Sequence, residues 1–448
     1  MSSREQFSSK TGFVMAAAGS AIGLGNIWGF PTQTASNGGA AFVIVYFIMA
    51  FFLAYPALMA ELIIGRYARA NMVTALRSIS TGRISKVMAT GVGFGGVIVA
   101  SLILSFYAIV AGWMIAFLLE AITNMLGLDS ISQWLTTFSF ERNIVFMAFF
   151  MVLTMGIVAG GVEGGIEKWS TRLMPLLIVI LLALIVYVIL QEGASEGLRV
   201  YLLPDFSQIN PPLILDAMGQ AFFSLSLGVG TMLIYGSYLG KGESLPKLGA
   251  AVTLIDASIA FIAGLLIIPA IYVAKHNGAS VFSESGQLIA GPDLIFQVLP
   301  TLFGSMGGVG LLVAFAFFSL MSIASLTSSI SMLEVPVALT VEETSFSRAK
   351  ATTIIGIIVF TISSTVLMNF DLLFEFVIKL TTVYSQPLLG VGLCVFAGWV
   401  WHRNELLKEI QSGHPGIEGS FFWKIWPNYV KFLCPVLILA AFIQGVIG

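Results

Sequence analysis

Gly19-Ser20-Ala21-Ile22-Gly23-Leu24-Gly25-Asn26 sets three glycines within seven residues, in the middle of an apolar run long enough to cross a bilayer. Each glycine weakens a helix by roughly 1 kcal/mol relative to alanine, and the membrane interior holds no water to take up the peptide groups that a break releases. A chain that breaks a helix there gains what the break uncovers. Bare carbonyls can ligate a cation, and the N–H groups that open the next half-helix attract an anion. A second interruption, Ser224-Leu225-Ser226-Leu227-Gly228-Val229-Gly230, falls in the sixth apolar run. Runs one and six each open a set of five. Five is odd, so the second set inserts with the opposite topology, and glycine-broken helices at matching places of two inverted halves point to a transporter binding site.

Working outward, apolar stretches of about 20 residues recur along the whole chain, the length that a bilayer requires. The pattern predicts eleven spans, at 11–36, 40–69, 86–122, 143–160, 165–190, 212–240, 245–274, 306–340, 349–369, 371–400 and 427–447. Residues 279–303 are expected to form a long loop with a short helix bounded by Pro292 and Pro300. The reading is one transporter domain over 1–448: a first repeat at 11–190, a second, inverted repeat at 212–400, and the eleventh span outside both. Of 448 residues, 57% are apolar and 10% charged, against about 25% charged in an ordinary soluble domain. A soluble chain of this size needs a charged shell that this one lacks.

Orientation follows from Lys and Arg. With the N-terminus cytoplasmic, 17 of the 21 basic residues fall on that side, leaving Arg142, Arg199, Lys275 and Lys379 on the other. The odd span count then puts the C-terminus outside, and the expected location is a bacterial inner membrane. No small-residue cleavage site follows the first run, which reads as a retained span. The net charge of −2 excludes a nucleic-acid partner. Cys394 and Cys434 sit in apolar segments as small buried residues, not a disulfide framework. His276, His402 and His414 are too scattered for a zinc site, and no nucleophile–base pair marks an intramembrane enzyme.

Gly19–Pro31 (GSAIGLGNIWGFP) closely resembles the neurotransmitter:sodium symporter family. The likeness continues through Asn37–Phe42, Glu61 with Gly65-Arg66-Tyr67, Gly219–Ser226 and Ser325–Ser329. It implies the all-α, LeuT-type five-plus-five inverted-repeat bundle with helices 1 and 6 unwound at mid-membrane, here in the eleven-span bacterial branch. It implies sodium-coupled import of an amino acid by alternating access, with two sodium sites and no organic cofactor. The first site would use Ala21, Asn26, Ser224 and Asp256 with the substrate carboxylate. The second would use carbonyls of Gly19, Ile22 and Ala324 with the hydroxyls of Thr327 and Ser328. All are the oxygen donors a hard cation prefers.

Asp256 lies deep in Val252–Ala257, where an unpaired carboxylate costs several kcal/mol. The family's chloride-requiring members have a neutral amide here and a serine at the place of Ala260, so chloride-independent transport is expected. Gly23 stands where the family's monoamine carriers have an aspartate, which leaves room for a carboxylate. The expected substrate is therefore a zwitterion. Its carboxylate would meet the amides of Leu24 and Gly25 and the hydroxyl of Tyr107, and its ammonium the uncovered carbonyls around Ser20, Ala21 and Ser224 and the hydroxyl of Ser328. Its side chain would lie against Ile103, Phe223, Ser226, Val229 and Met332. Apolar walls suit a hydrophobic side chain.

For gating, the resemblance implies a cytoplasmic pair of Arg4 and Glu342, a lid of Tyr107 and Phe223, and unwinding of the fifth span between Gly165 and Pro175. The arginine and aspartate of the family's outer gate are replaced by Gly29 and Phe374. Glu375 and Lys379, spaced i,i+4, are the expected substitutes. Rival readings are a substrate-gated channel or amino acid sensor on the same scaffold, which would show only downhill flux or none, and proton coupling through Asp256 or Glu61, which would persist without sodium.

Overall fold

The computed structural model describes residues 4–281 and 294–447. Among them, nine helices are long and apolar enough to cross a membrane: Ala40–Ala68, Arg83–Met125, Phe140–Ala159, Val162–Ile189, Leu245–His276, Gly308–Glu343, Arg348–Met368, Phe370–Val400 and Phe421–Val446. They are spans 2 to 5 and 7 to 11. Span 1 is a pair, Lys10–Ala21 and Gly25–Ser36, bent by 54° at the break. Span 6 is divided into Pro211–Ser224 and Thr231–Ser237, neither half long enough to cross alone.

Three boundaries differ from expectation. Span 3 has 43 residues, about 65 Å at 1.5 Å per residue, and so projects well beyond a hydrocarbon core about 30 Å thick. Span 11 begins at Phe421, not 427: Pro427 lies inside the helix, where it removes one backbone N–H, and a wide turn follows at Tyr429–Leu433. In the 279–303 segment, Pro292 lies outside the described residues. Pro300 does not end the short helix; it stands near the start of its second part, Leu299–Ser305, within the apolar stretch Leu294–Gly304.

Spans 3 and 8 form the longest packed interface of the bundle, with the broken spans beside them. Span 2 approaches the second half of span 6 closely because both present glycines. A β-carbon on Gly65 would fall 1.9 Å from the Leu233 carbonyl oxygen, and one on Gly236 2.7 Å from that of Leu62. Small residues at such crossings let membrane helices make van der Waals contact along their backbones. The outer faces carry exposed apolar side chains, such as Val179, Leu182, Val186 and Leu190 on span 5, as a lipid-facing surface requires.

Candidate functional site

The two breaks are held open by specific groups. Span 1 leaves the helix at Ile22 (φ −75°, ψ 97°) and resumes at Gly25 with a wide turn. Span 6 stops at Ser224, and residues 225–230 run through left-handed backbone at Ser226 (φ 52°), Gly228 (φ 91°) and Gly230 (φ 83°). Glu61 of span 2, buried, clamps this segment. Its Oε1 accepts from the Gly228 amide at 2.7 Å and its Oε2 from the Leu233 amide at 3.3 Å.

Beside the breaks, Asn26, Ser224 and Asp256, three of the four residues expected at the first sodium site, converge. Asn26 Nδ2 donates to Asp256 Oδ1 at 2.7 Å. Ser224 Oγ donates to both Asp256 oxygens at 3.1 and 2.9 Å. Tyr46, which the sequence did not single out, reaches Ser224 Oγ at 3.3 Å and Asp256 Oδ2 at 3.5 Å. Among the described residues no Lys, Arg or His pairs with Asp256, which is 1% exposed. A buried carboxylate with only neutral partners calls for a cation or a proton. The oxygen donors around it fit a hard monovalent cation.

The residues expected at the second site also meet. Ser328 Oγ donates to the Gly19 and Ile22 carbonyls, both at 3.3 Å, and Thr327 Oγ1 to the Ala324 carbonyl at 3.1 Å. These contacts join the first half of span 1 to span 8.

Between the two clusters lies a cavity lined by every residue expected to touch the substrate: Ser20, Ala21, Gly23, Leu24, Gly25, Ile103, Tyr107, Phe223, Ser224, Ser226, Val229, Ser328 and Met332. Tyr107 Oη accepts from the Leu24 amide at 3.2 Å. Phe106 and Gln386 line it too. Sequence reasoning missed both, although a glutamine inside an apolar span is itself a signal. Gln386 is 2% exposed, and among the described residues its Oε1 has no hydrogen-bond donor. Phe223 and Gln386 also border a second, outer cavity of about 290 Å³ that includes Gln33, Asp216, Gln220 and Thr382.

The opposite end is sealed. Arg4 pairs with Glu342 and donates to Ser237 Oγ at 2.6 Å, and Glu342 accepts from the Asn71 amide at 2.8 Å. A second network, not anticipated, joins Arg348 to buried Glu334 and to the Val158 carbonyl, with Tyr238 also on Glu334. Ser8 and Ser9 hydroxyls bond Glu167 at 2.8 and 2.9 Å. Glu167 closes a wide turn, Val162–Glu167, that contains Gly165. Span 5 runs helically through Pro175 in this conformation. At the outer gate positions, Gly29 faces Gln220 and Phe374 stacks on Phe370 at 4.5 Å, with Trp113 beside it at 6.1 Å. Glu375 and Lys379 do pair, at 2.7 Å, but are 71% and 59% exposed and border neither cavity. They neutralise each other on the outer surface of span 10, which accounts for both without a gate.

A helical membrane bundle with two mid-membrane breaks framing a small cavity defines an alternating-access secondary transporter, not an enzyme. The chain belongs to the sodium:neurotransmitter symporter family, whose model matches residues 4–144 and 129–448. It is similar to the sodium-dependent transporter YhdH of Bacillus subtilis (33% identity over 459 residues, 98% of this chain and 97% of the relative). A sodium-dependent transporter of Haemophilus influenzae is 32% identical over 471 residues, covering 99% and 98%. Among solved structures, MhsT in complex with L-phenylalanine superposes with a TM-score of 0.82 at 36% identity, covering 99% of this chain and all of that one. The fold is thus the LeuT type, and the protein is a multi-pass, sodium-dependent symporter that binds a small molecule.

Proposed function

We propose that the protein imports a zwitterionic, hydrophobic amino acid with two sodium ions, independently of chloride, across a bacterial inner membrane in which the N-terminus is cytoplasmic and the C-terminus external. The observation that carries this reading is the pair of hydroxyls held against the break of span 1 at Gly23. A β-carbon there would lie 2.5 Å from Ser328 Oγ and 2.7 Å from Tyr107 Oη, so glycine is what lets both hydroxyls close on the break and line the cavity beside it, where a ligand carboxylate can meet them. Half-helix amides at Leu24 and Gly25 favour an anion in the same place. The substrate carboxylate then completes the first sodium site with Ala21, Asn26, Ser224 and Asp256, and Gly19, Ile22, Ala324, Thr327 and Ser328 form the second. The ammonium faces the uncovered carbonyls of spans 1 and 6, and the side chain lies among Ile103, Phe106, Val229 and Met332.

The neighbour MhsT was solved with L-phenylalanine, which agrees with an apolar pocket. Asp256 supplies inside the protein the negative charge that chloride would otherwise bring. Proton coupling through Glu61 is disfavoured because both its oxygens are committed to backbone amides.

The test is uptake of a panel of labelled amino acids into proteoliposomes, with and without an inward sodium gradient at fixed pH. Saturable, sodium-driven accumulation of hydrophobic amino acids is expected, undiminished when gluconate replaces chloride. Purely downhill flux, or uptake driven by protons alone, would sink the proposal.

A further inference from the structure

At the basic end of the bundle, spans 10 and 11 cross so closely that a β-carbon on Gly398 would sit 2.7 Å from Lys431 Cα. Trp399 Nε1 locks the crossing by donating to the Lys431 carbonyl at 2.9 Å. The crossing leaves a cavity of about 270 Å³ whose polar walls are His402, Arg403, Asn428 and Lys431, beside Trp399 and Trp401; no carboxylate lines it. Trp401 is 4% exposed and packs against Tyr67 at 4.7 Å. Lys431 lies over the Trp399 ring at 4.3 Å and Arg403 over Trp423 at 5.5 Å, and neither forms an ion pair among the described residues. Glu409, on the same loop helix as Arg403, is taken up by Arg66 at 2.6 Å. Among the described residues the lining therefore presents cationic and neutral donors and no carboxylate; exposed Glu405, on the same helix as Arg403, lies outside it. From its rim, Phe432, Val436, Leu439 and Ile443 run into the membrane along one face of span 11, all exposed.

We propose that this cavity binds the phosphate of an anionic phospholipid. Arg403 and Lys431 supply charge, Trp399 and Trp401 wall the cavity, and an acyl chain lies along the stripe from Phe432 to Ile443. Each component has a reason. Tryptophan and basic residues gather at the membrane–water interface, and a planar guanidinium and an ammonium both suit phosphate. The apolar stripe assigns the phosphate to a lipid and not to a free ion. The site stands apart from both cavities of the transport path.

Native mass spectrometry of the full chain in neutral detergent tests this, titrating phosphatidylglycerol against phosphatidylcholine. Phosphatidylglycerol should bind preferentially. Lys431→Gln and Arg403→Gln should each weaken it about fivefold, the effect of one basic residue at an anionic surface. Lys424→Gln, exposed on the same helix but outside the cavity, should change nothing, and sodium-dependent uptake by each variant reports that it is folded. Equal loss in Lys424→Gln, or full retention in folded Lys431→Gln and Arg403→Gln, would overturn the site. Displacement of the lipid by millimolar inorganic phosphate would overturn the lipid assignment in favour of a soluble anion.

Discussion

A β-carbon at position 23 would contact two hydroxyl oxygens, Ser328 Oγ and Tyr107 Oη, well inside van der Waals distance. Overpacking of this kind costs about 1–3 kcal/mol, which a protein of this size can survive. Gly23→Ala is therefore expected to fold, to melt a few degrees lower, and to lose saturable substrate uptake, measured by scintillation proximity binding alongside a thermal-shift assay. Normal affinity in the variant would remove the hydroxyl pair at Gly23 from the proposal. Asp256 sets a second test. Among the described residues its partners are Asn26, Ser224 and Tyr46, and none of them is a counter-ion to its charge. Removing one partner of a buried charge pair costs about 2–5 kcal/mol, and Asp256→Asn should raise the half-saturating sodium concentration by at least about tenfold at constant pH. If the carboxylate does replace chloride, the same variant with Ala260→Ser should acquire chloride-stimulated uptake. Unchanged sodium dependence would mean that Asp256 holds a proton instead.

Glu61 shows how a neighbouring element maintains a break. The break and the first turn of the half-helix after it leave amides without a helical partner, and a single carboxylate from span 2 takes one of each, Gly228 and Leu233. An orphaned buried donor costs about 1–3 kcal/mol, so Glu61→Ala should destabilise the protein by roughly twice that range. Glu61→Gln, which keeps an acceptor, should lose less. Thermal unfolding in detergent ranks them, and equal melting of both variants with the parent would deny the clamp. Much at this scale was legible beforehand. Glycine spacing located both breaks, apolar length located the spans, and the family likeness selected residues that the fold brings to one cavity. What stayed hidden depends on side chains meeting across elements. Tyr46 reaches Asp256 over 210 positions of sequence with nothing local to announce its partner, and Gln386, whose polarity inside an apolar span is a signal, closes the cavity from span 10, a meeting its own surroundings do not specify. Glu375 and Lys379 misled for the converse reason. Their i,i+4 spacing predicted the pair, but spacing on one helix says nothing about which way that helix faces.

At the scale of the whole molecule, the end bearing the N-terminal segment is shut and the opposite end holds the larger cavity, so the structure is closed on the Arg4 side. Two ion networks hold that closure, and their burial predicts unequal strength. Arg4 and Glu342 are 14% and 26% exposed. Solvent screening keeps pairs of this kind near 1 kcal/mol or less, as suits a latch that must release in each transport cycle. Glu334 is fully buried, and Arg348 is the cation that compensates it. Removing that partner leaves an uncompensated charge and costs about 3–5 kcal/mol. Arg4→Ala is therefore expected to shift the opening equilibrium only severalfold while leaving the protein folded. Hydrogen–deuterium exchange reads this in the wide turn at 162–167, where the Val162 amide is held by Glu5 at 2.6 Å and Ser8 and Ser9 tie down Glu167. Exchange there should accelerate in Arg4→Ala and slow again when sodium is added, because the Thr327 and Ser328 cluster joins span 1 to span 8 from within. Arg348→Ala should instead lower global stability and speed exchange well beyond that turn. Equal effects of the two substitutions would mean that the pairs form one structural unit and that Arg4 is no gate.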